Sequence, residues 1–544
     1  MRSVRRGLLA ALAMIVVAMV ASGGGFADEG DLAILGNKLA VVKQFTQPNN
    51  TTTARGTSQT ECTANSGGAN TTLDCDDPFP NNEPHLAVDP ANPLHMIASS
   101  NDYGSCCDEF YTTFNGGATW STGNMSIERP TAHGPIGSDP VTAFDRKDGV
   151  ALHSSLNFFV NHDGTQTCRG DLVVSPSSDG GLTWSLPVIV DQGLGCDLDP
   201  TQLFDDKEWI TVDNNPASKF YGRAYVTWTK FEASRGDFVR SAIFESHSDD
   251  GGKHWSASQE ISGANANLCP LQVAGPGGQC DENQFSVPTV GPDGTVYVAF
   301  ENTQNPALNE PGEEGDSQYL LVKSTNGGAT WSSPSFVVGL EDGSNDYPRN
   351  EDGRQTLTGY QVRVNSAGNI VASPKTGALF LTFSDNRNGI HDVAEPVTNT
   401  DVFVVSSTNG GQSWTSPSQV DAGAGDQWFP WADVNPVTGT IGIAYNDRGN
   451  SNGTLYGAAL AEGMPGSLAK TTVSTAGSDP VHSVFFQPED VPDCAACALF
   501  HGDYISVAYG SDGHANVAWT DMRQHIDDPD LGEGFLQFID FARK

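Results

Sequence analysis

The chain repeats one turn five times, and a repeat with this chemistry leaves few folds open. Thr113 to Trp120 reads TFNGGATW, Ser177 to Trp184 reads SSDGGLTW and Ser248 to Trp255 reads SDDGGKHW. Ser324 to Trp331 reads STNGGATW, and Ser407 to Trp414 reads STNGGQSW. Each copy gives a hydroxyl, a gap, Asp or Asn, Gly-Gly, two more residues and Trp. Asp or Asn before Gly-Gly, between two strand-like runs, is hairpin chemistry: Gly supplies positive φ, and the Asx side chain bonds to backbone amides inside the turn. The closing Trp is a large apolar body suited to pinning the turn onto its own hairpin. Nothing in this requires a substrate, so the motif is read as structural.

The five copies resemble the Asp-box, or bacterial neuraminidase repeat, S-x-D-x-G-x-x-W, which marks the sialidase-like β-propeller superfamily. The resemblance implies an all-β fold, a propeller of four-stranded antiparallel blades with the Asp-box turn between strands three and four. It says less about activity, because the superfamily includes propellers that are not sialidases.

A second repeat interleaves with the first from Asn82 onward. It enters on polar or acidic residues, runs through a short strand and a Gly/Asp/Pro turn, then a stronger strand. The fourth unit is the clearest, with Phe285 to Val290, the turn Gly291-Pro292-Asp293-Gly294, Thr295 to Phe300, Tyr319 to Lys323 and Ser332 to Val338. That is four strands, one blade. Units start near Asn82, Ser138, Asp205, Asn283, Tyr360, Asp426 and His501. The sixth and seventh keep the first hairpin (Ala432 to Tyr445; Ile505 to Trp519) without the repeated turn. The seventh ends at three strands after Phe535 to Phe541, and the apolar run Leu39 to Gln44 is a candidate for the fourth. Roughly 460 residues in seven units is about 65 each, enough for four short strands and their loops. Seven blades are favoured; six, the number sialidases have, is the alternative if one unit is an insertion. Residues 82–544 then form one closed domain.

Residues 1–27 have the build of a signal peptide. Arg2, Arg5 and Arg6 precede the apolar run Leu8 to Val20, and Gly25-Phe26-Ala27 offers a cleavage site. The run is short for a membrane span, so a cleaved chain has no stable membrane insertion; an uncleaved anchor is the alternative. Residues 28–81 read as a leader, rich in Thr and Asn. The formal net charge of -38 disfavours nucleic acid and acidic lipid, which both select basic patches. It suits a secreted or periplasmic protein, expected to be monomeric. Sixty Gly and thirty-one Pro suit short strands and tight turns.

In antiparallel blades the repeated turns sit on the periphery of one face. The strand-two-to-three loops and the inter-blade connections sit on the other, where sites are usually built. In sialidases, the resemblance implies, that face holds the active site near the axis. All ten cysteines map to it or to the leader, and in an exported chain they suit five disulfides. Cys62–Cys75, Cys168–Cys196 and Cys269–Cys280 are the expected pairs. Cys106 and Cys107 either pair with each other or bridge to Cys494 and Cys497. The cysteines lack the spacing of a zinc site, and no cofactor is required by any motif.

Acidic residues enter nearly every unit: Glu83, Asp139, Asp205, Asp206, Glu208, Asp281, Glu282, Asp426 and Asp503. They suit either a cation site, with Ca²⁺ the candidate, or acid–base work; the alternative is that each caps backbone amides of a neighbouring blade. Arg387, Arg448 and Arg523 each follow the second strand of a unit. They suit bidentate capture of a carboxylate or sulfate, and the sialidase arginine triad gives the same implication. The alternative is that each pairs with the Asp just before it. The Arg-Ile-Pro segment of sialidases is missing, and Asn82-Glu83-Pro84-His85 stands at its strand. For the nucleophile and its helpers the resemblance implies Tyr504 (Tyr360 second), Glu208 as partner, and Asp139 or Asp206 as the acid. Trp428 and Trp431 make a sugar-stacking platform if exposed and core if buried.

Two functions fit. One is a secreted sialidase-like protein that binds, and as a glycoside hydrolase cleaves, extracellular glycans or glycoproteins. The other is a non-catalytic propeller that binds glycans or proteins.

Overall fold

The computed structural model describes residues 70–74, 80–103, 108–125, 136–160, 167–196, 198–271, 277–310, 313–350, 353–449, 453–483, 500–528 and 532–544. The signal peptide, the run Leu39 to Gln44, and Cys62, Cys75, Cys106, Cys107, Cys494 and Cys497 lie outside them. Every regular element among the described residues is a β-strand.

The strands fall into antiparallel sets of four. In the first unit Asn81–Asp89, Asn92–Asp102, Glu109–Thr113 and Ser121–Asn124 pair in chain order. The units at 283–339, 370–419 and 427–472 repeat this plan. Units 136–191 and 202–260 are two such sets, merged into one sheet by a single parallel pairing of Phe204 with Gly170. The last set has Ser506–Tyr509, Ala515–Asp528 and Gly532–Arg543, and its outer place is taken by Thr71–Thr72 from the other end of the chain. Thr71 lies opposite Phe541 and Thr72 opposite Asp540. Among the described residues the strand that completes this sheet is therefore Thr71–Thr72, immediately before the first unit.

The innermost strands contact one another in a closed cycle. Asn81–Asp89 touches Ile136–Asp145, which touches Gln202–Val212, then Asn283–Val290, Ile370–Ala372, Gln427–Val434 and Ser506–Tyr509, which returns to Asn81–Asp89. A ring of antiparallel sheets around an axis is a propeller. Sheet faces within the ring are covered on both sides, which explains why the second strands read as near-continuous runs without alternation. Val296–Asn302, Leu379–Asp385 and Ile441–Asp447 are buried at every position. One apolar cluster passes through Val141, Trp228, Val287, Leu381, Ala444 and Val507, each from a different unit.

The five repeated turns link the third and fourth strands of their units. In the second unit Ser177 Oγ accepts from Gly181 N at 2.9 Å and Asp179 Oδ1 accepts from Thr183 N at 2.9 Å. The copies at Ser324/Asn326 and Ser407/Asn409 bond in the same way. The turn does more than close its own hairpin, because each packs on the unit before it in the ring. Gly181 faces Ile97 and Thr112, Gly252 faces Leu152, Gly328 faces Glu245 and His247, and Gly411 faces Leu321. Gly117 of the first unit faces Phe541 of the last. The closing Trp follows: Trp120 meets Phe541 edge-on at 5.2 Å, and Trp184 meets Phe110 at 5.8 Å. Trp255 Nε1 also donates to Gly252 O of its own turn at 3.2 Å, so the closing Trp both holds its own hairpin and packs on the neighbouring sheet.

The fifth unit departs from its expected start near Tyr360. Its first strand is Ile370–Ala372, and the described residues between 341 and 369 form an irregular excursion. Tyr360 and Val364 pack with Tyr347, Leu357 and Trp428 in a separate apolar cluster instead of joining the sheet.

The expected pairs Cys168–Cys196 and Cys269–Cys280 are both disulfides.

Candidate functional site on the axial face

A recurrent backbone device shapes the axial mouth. Five innermost strands carry a non-glycine residue in the left-handed region: Glu83 (φ 57°), Asp139 (56°), Lys207 (51°), Phe285 (57°) and Phe429 (52°). Each sits inside a register shift of its strand, between Asn82 and His85, Ser138 and Val141, Asp206 and Trp209, Gln284 and Val287, and Trp428 and Trp431. Such bulges re-aim side chains, and the conformation costs about 1–2 kcal/mol per L-residue. Gly502 (φ 89°) stands before the last innermost strand, where its Cα hydrogen leaves room for Glu83.

The bulges gather charge. Glu83 is buried and its carboxyl is pushed well up, by burial first and then by Asp139 and Asp503, against the pull of Lys207 and Arg363. Its oxygens accept from Asn101 Nδ2 at 2.7 Å and Asp503 N at 2.9 Å. Lys207 is 6% exposed, and its Nζ lies 3.7 Å from the Tyr504 ring centroid and 4.9 Å from that of Trp209, with no hydrogen-bond partner. Glu208 is wholly buried, neither carboxyl oxygen has a hydrogen-bond partner, and burial with Asp139 pushes it well up. His85 accepts from Thr142 N at 3.0 Å and is pulled down to about 3 by burial and Lys207.

Beside this mouth opens a cavity of about 160 Å³, between the start of the fourth unit and the 341–369 excursion. Arg349, Arg354 and Arg363 line it, with Glu301, Asp342 and Gln284. Arg363 forks onto Asp503, whose Oδ1 also accepts from Asn365 Nδ2 at 3.1 Å. Burial and the neighbouring Arg363 pull the Arg354 guanidinium well down. Burial pushes Asp342 up to about 7, and Glu301 is pushed up by burial and by Asp342. The lining thus sets three guanidinium groups beside two carboxyls that burial inclines to hold protons.

The predicted site residues divide. Tyr504, Glu208 and Asp139 come together around Lys207, each within electrostatic reach of the others. The Tyr504 hydroxyl has no hydrogen-bond partner, and burial with Glu83, Asp139 and Glu208 pushes it well up. Tyr504 and Glu208 are therefore neighbours without the hydrogen bond through which a partner carboxylate would accept the phenol proton. Asp206 turns to the next unit and accepts from Gln284 Nε2 at 2.7 Å. Asp139 accepts from Ser138 Oγ at 2.6 Å.

Arg387, Arg448 and Arg523 do not converge. Arg387 Nε donates to Asp385 at 2.8 Å, Arg448 Nη1 to Asp426 at 2.8 Å, and Arg523 Nε to Asp521 at 2.7 Å. These three ion pairs share no carboxylate, so the expected triad is replaced by pairing within each unit. Trp428 and Trp431 are 1% and 6% exposed, so the sugar-stacking platform is corrected to core. Trp428 Nε1 donates to His501 Nε2 at 3.2 Å, and Trp431 lies 4.3 Å from Trp209. Asp503 serves as the carboxylate of Arg363. The arginines that do line a cavity were not singled out from sequence, although three of them within 349–363 stand out in a chain with 28 Lys and Arg in 544 residues.

The closed ring of antiparallel sheets places the chain in the class of β-propellers. Among solved structures, it is similar to a protein of unknown function from Dyadobacter fermentans (11% identity, 77% of this chain and 96% of that one, TM-score 0.43). It is similar to the NanB sialidase from Streptococcus pneumoniae (10% identity, 82% and 83% covered, TM-score 0.40). The GH93 α-L-arabinofuranosidase of Fusarium graminearum is a third (12% identity, 70% and 92% covered, TM-score 0.44). No family model and no curated protein matches the chain. The likeness concerns fold alone, and the propeller assignment stands on the strand cycle described above.

Proposed function

We propose that this chain is a secreted, seven-bladed, Asp-box propeller that binds extracellular glycans carrying an acidic group, with the axial-face cavity as the binding site. The observation that carries the reading is the cavity lining of Arg349, Arg354 and Arg363 against protonation-prone Asp342 and Glu301. Guanidinium forks suit carboxylate and sulfate groups. Binding without turnover is favoured over hydrolysis because the Tyr504 hydroxyl is buried, unpartnered and held protonated.

A glycan array spanning sialylated, uronate, sulfated and neutral glycans tests this. Retention of acidic glycans, with at least tenfold weaker binding by Arg354→Gln, is expected. Binding confined to neutral glycans, or none at all, would refute it. Hydrolysis is the second reading, favoured by Glu208, a buried carboxyl held protonated beside Asp139 as a general acid would be. It expects turnover of fluorogenic glycosides, lost in Glu208→Gln and kept in Tyr504→Phe.

A further inference from the structure

Behind the cavity wall, the loop between the second and third strands of the fourth unit meets the connection to the fifth. There Glu313, Asp316 and Asp346, all buried, each offer a carboxylate oxygen, and these oxygens lie within 4.8 Å of one another. Gly343 lets the chain close on them, since a Cβ there would stand 2.8 Å from both Asp316 Oδ1 and Glu313 Oε1. The backbone orients the group. Glu313 accepts from Asn345 N at 3.1 Å and Glu310 N at 3.3 Å, Asp346 Oδ2 from Gly343 N at 2.8 Å, and Asp316 Oδ1 from Asp342 N at 3.3 Å.

What is left over points inward. Asp316 is 1% exposed, and its Oδ2 is buried without a hydrogen-bond partner. Asp346 is wholly buried, and its Oδ1 accepts no hydrogen bond; the His391 ring nitrogen lies 3.0 Å away and pairs with it when that partly exposed imidazole carries a proton. Among the described residues no lysine or arginine forms an ion pair with any of the three carboxylates; the nearby Arg387 is committed to Asp385. Three buried carboxylates at this spacing repel one another. They need a positive charge or protons. The donors are all hard oxygens, and 4.8 Å is about the span of two oxygens on opposite sides of one calcium ion, so their spacing is of the order that shared coordination needs. Magnesium, with its tighter octahedral shell and retained waters, is served less well.

We infer that Glu313, Asp316 and Asp346 form a Ca²⁺ site that clamps the 313–317 loop to the 342–346 segment. This places the cation in a loop junction rather than in the ring of axial carboxylates. Gly315, Ser317 and Asp342 on the same two segments line the arginine cavity, so the ion would brace one wall of it.

The test uses the intact protein stripped with EGTA and titrated with CaCl₂ by calorimetry, with thermal melts in parallel and MgCl₂ as the comparison. One Ca²⁺ per chain is expected, with a dissociation constant between about 10 µM and 1 mM. A hundredfold excess should raise the melting temperature by about 3–5 °C. Asp316→Asn removes one of three repelling charges. It should melt in EGTA no lower than the parent and lose the calcium response. Absence of a calcium heat and of a melting shift up to 10 mM would overturn the inference. So would magnesium binding as tightly as calcium, or an undiminished calcium response in both Asp316→Asn and Asp346→Asn.

Discussion

Arg363 and Asp503 show how a single pair carries both structure and site. The two side chains are each 8% exposed, and Arg363 also lies over the Phe500 ring at 4.5 Å. Breaking a buried pair from one side leaves a charge uncompensated, which typically costs about 3–5 kcal/mol. Arg363→Leu should destabilise the protein by about that amount in urea denaturation, and Arg363→Leu with Asp503→Asn should recover at least half of it. His501 gives a pH dependence of definite sign. It is buried, and burial pulls its imidazole down to about 3 from an unfolded value of 6.5. Between those values the unfolded chain binds the proton and the folded one does not. The contribution is therefore complete above pH 6.5 and is lost as pH falls toward 3. His501→Gln keeps an acceptor for Trp428 Nε1 and removes the titration. Its stability, set against the parent's, should improve by up to about 3 kcal/mol between pH 7 and pH 4. Acid unfolding followed by tryptophan fluorescence measures this, and parallel curves for the two proteins would contradict it.

The repeated turns act as keys between sheets, and this is the element-level result. His95 Nε2 lies 2.9 Å from the Gly180 carbonyl. Arg223 Nη1 donates to Gly327 O at 2.6 Å, and Lys323 Nζ to Gly410 O at 2.8 Å. In every case the donor belongs to the preceding unit. Gly181 has φ 86°, and a Cβ there would stand 2.8 Å from Ile97 Cδ1. Gly181→Ala combines a left-handed L-residue with overpacking, for about 2–4 kcal/mol of lost stability. If the contact across units carries the effect, Ile97→Val should recover part of it in a double-mutant cycle; strict additivity would place the strain inside the hairpin. The turns were legible because Asp/Asn-Gly-Gly is local chemistry. Their partners were not, since His95 and Arg223 show no pattern until the ring brings them alongside. The irregular excursion before the fifth unit hides in the sequence for a related reason. Tyr360, Val362 and Val364 alternate as a strand does, yet Tyr360 and Val364 pack with Trp428 of the next unit.

At the scale of the whole molecule, unit order and ring closure could be read from the spacing of the repeats, because each unit buries its faces only against its neighbours. The site could be read only as a neighbourhood. Arg387, Arg448 and Arg523 recur after the second strand of their units, and each is held by a carboxylate of its own unit as part of the scaffold. Arg349, Arg354 and Arg363 belong to an irregular stretch, outside the repeat. Closure itself is testable. Thr72 Oγ1 donates to Asp540 at 2.7 Å, and Asp74 accepts from Ile539 N at 3.0 Å. Thr72→Pro should remove the backbone pairing to Asp540, lower the melting temperature by several degrees, and expose the edge of Gly532–Arg543 to self-association. Size-exclusion chromatography should show multimers absent from the parent.

The short strand Thr71–Thr72 also sets a schedule. During vectorial synthesis it emerges before any of the sheets, yet its partner Gly532–Arg543 leaves the ribosome more than 450 residues later. Early sheets can stack as they appear, each keyed to the one before. The first sheet, keyed through Gly117 to Phe541, must wait with that side bare until the latch arrives. A nascent chain of this design is thus an open arc of exposed apolar surface for most of its synthesis, and a holding chaperone that occupies Met96, Ala98 and Tyr111 until release would guard the surface that Ile539 and Phe541 finally cover.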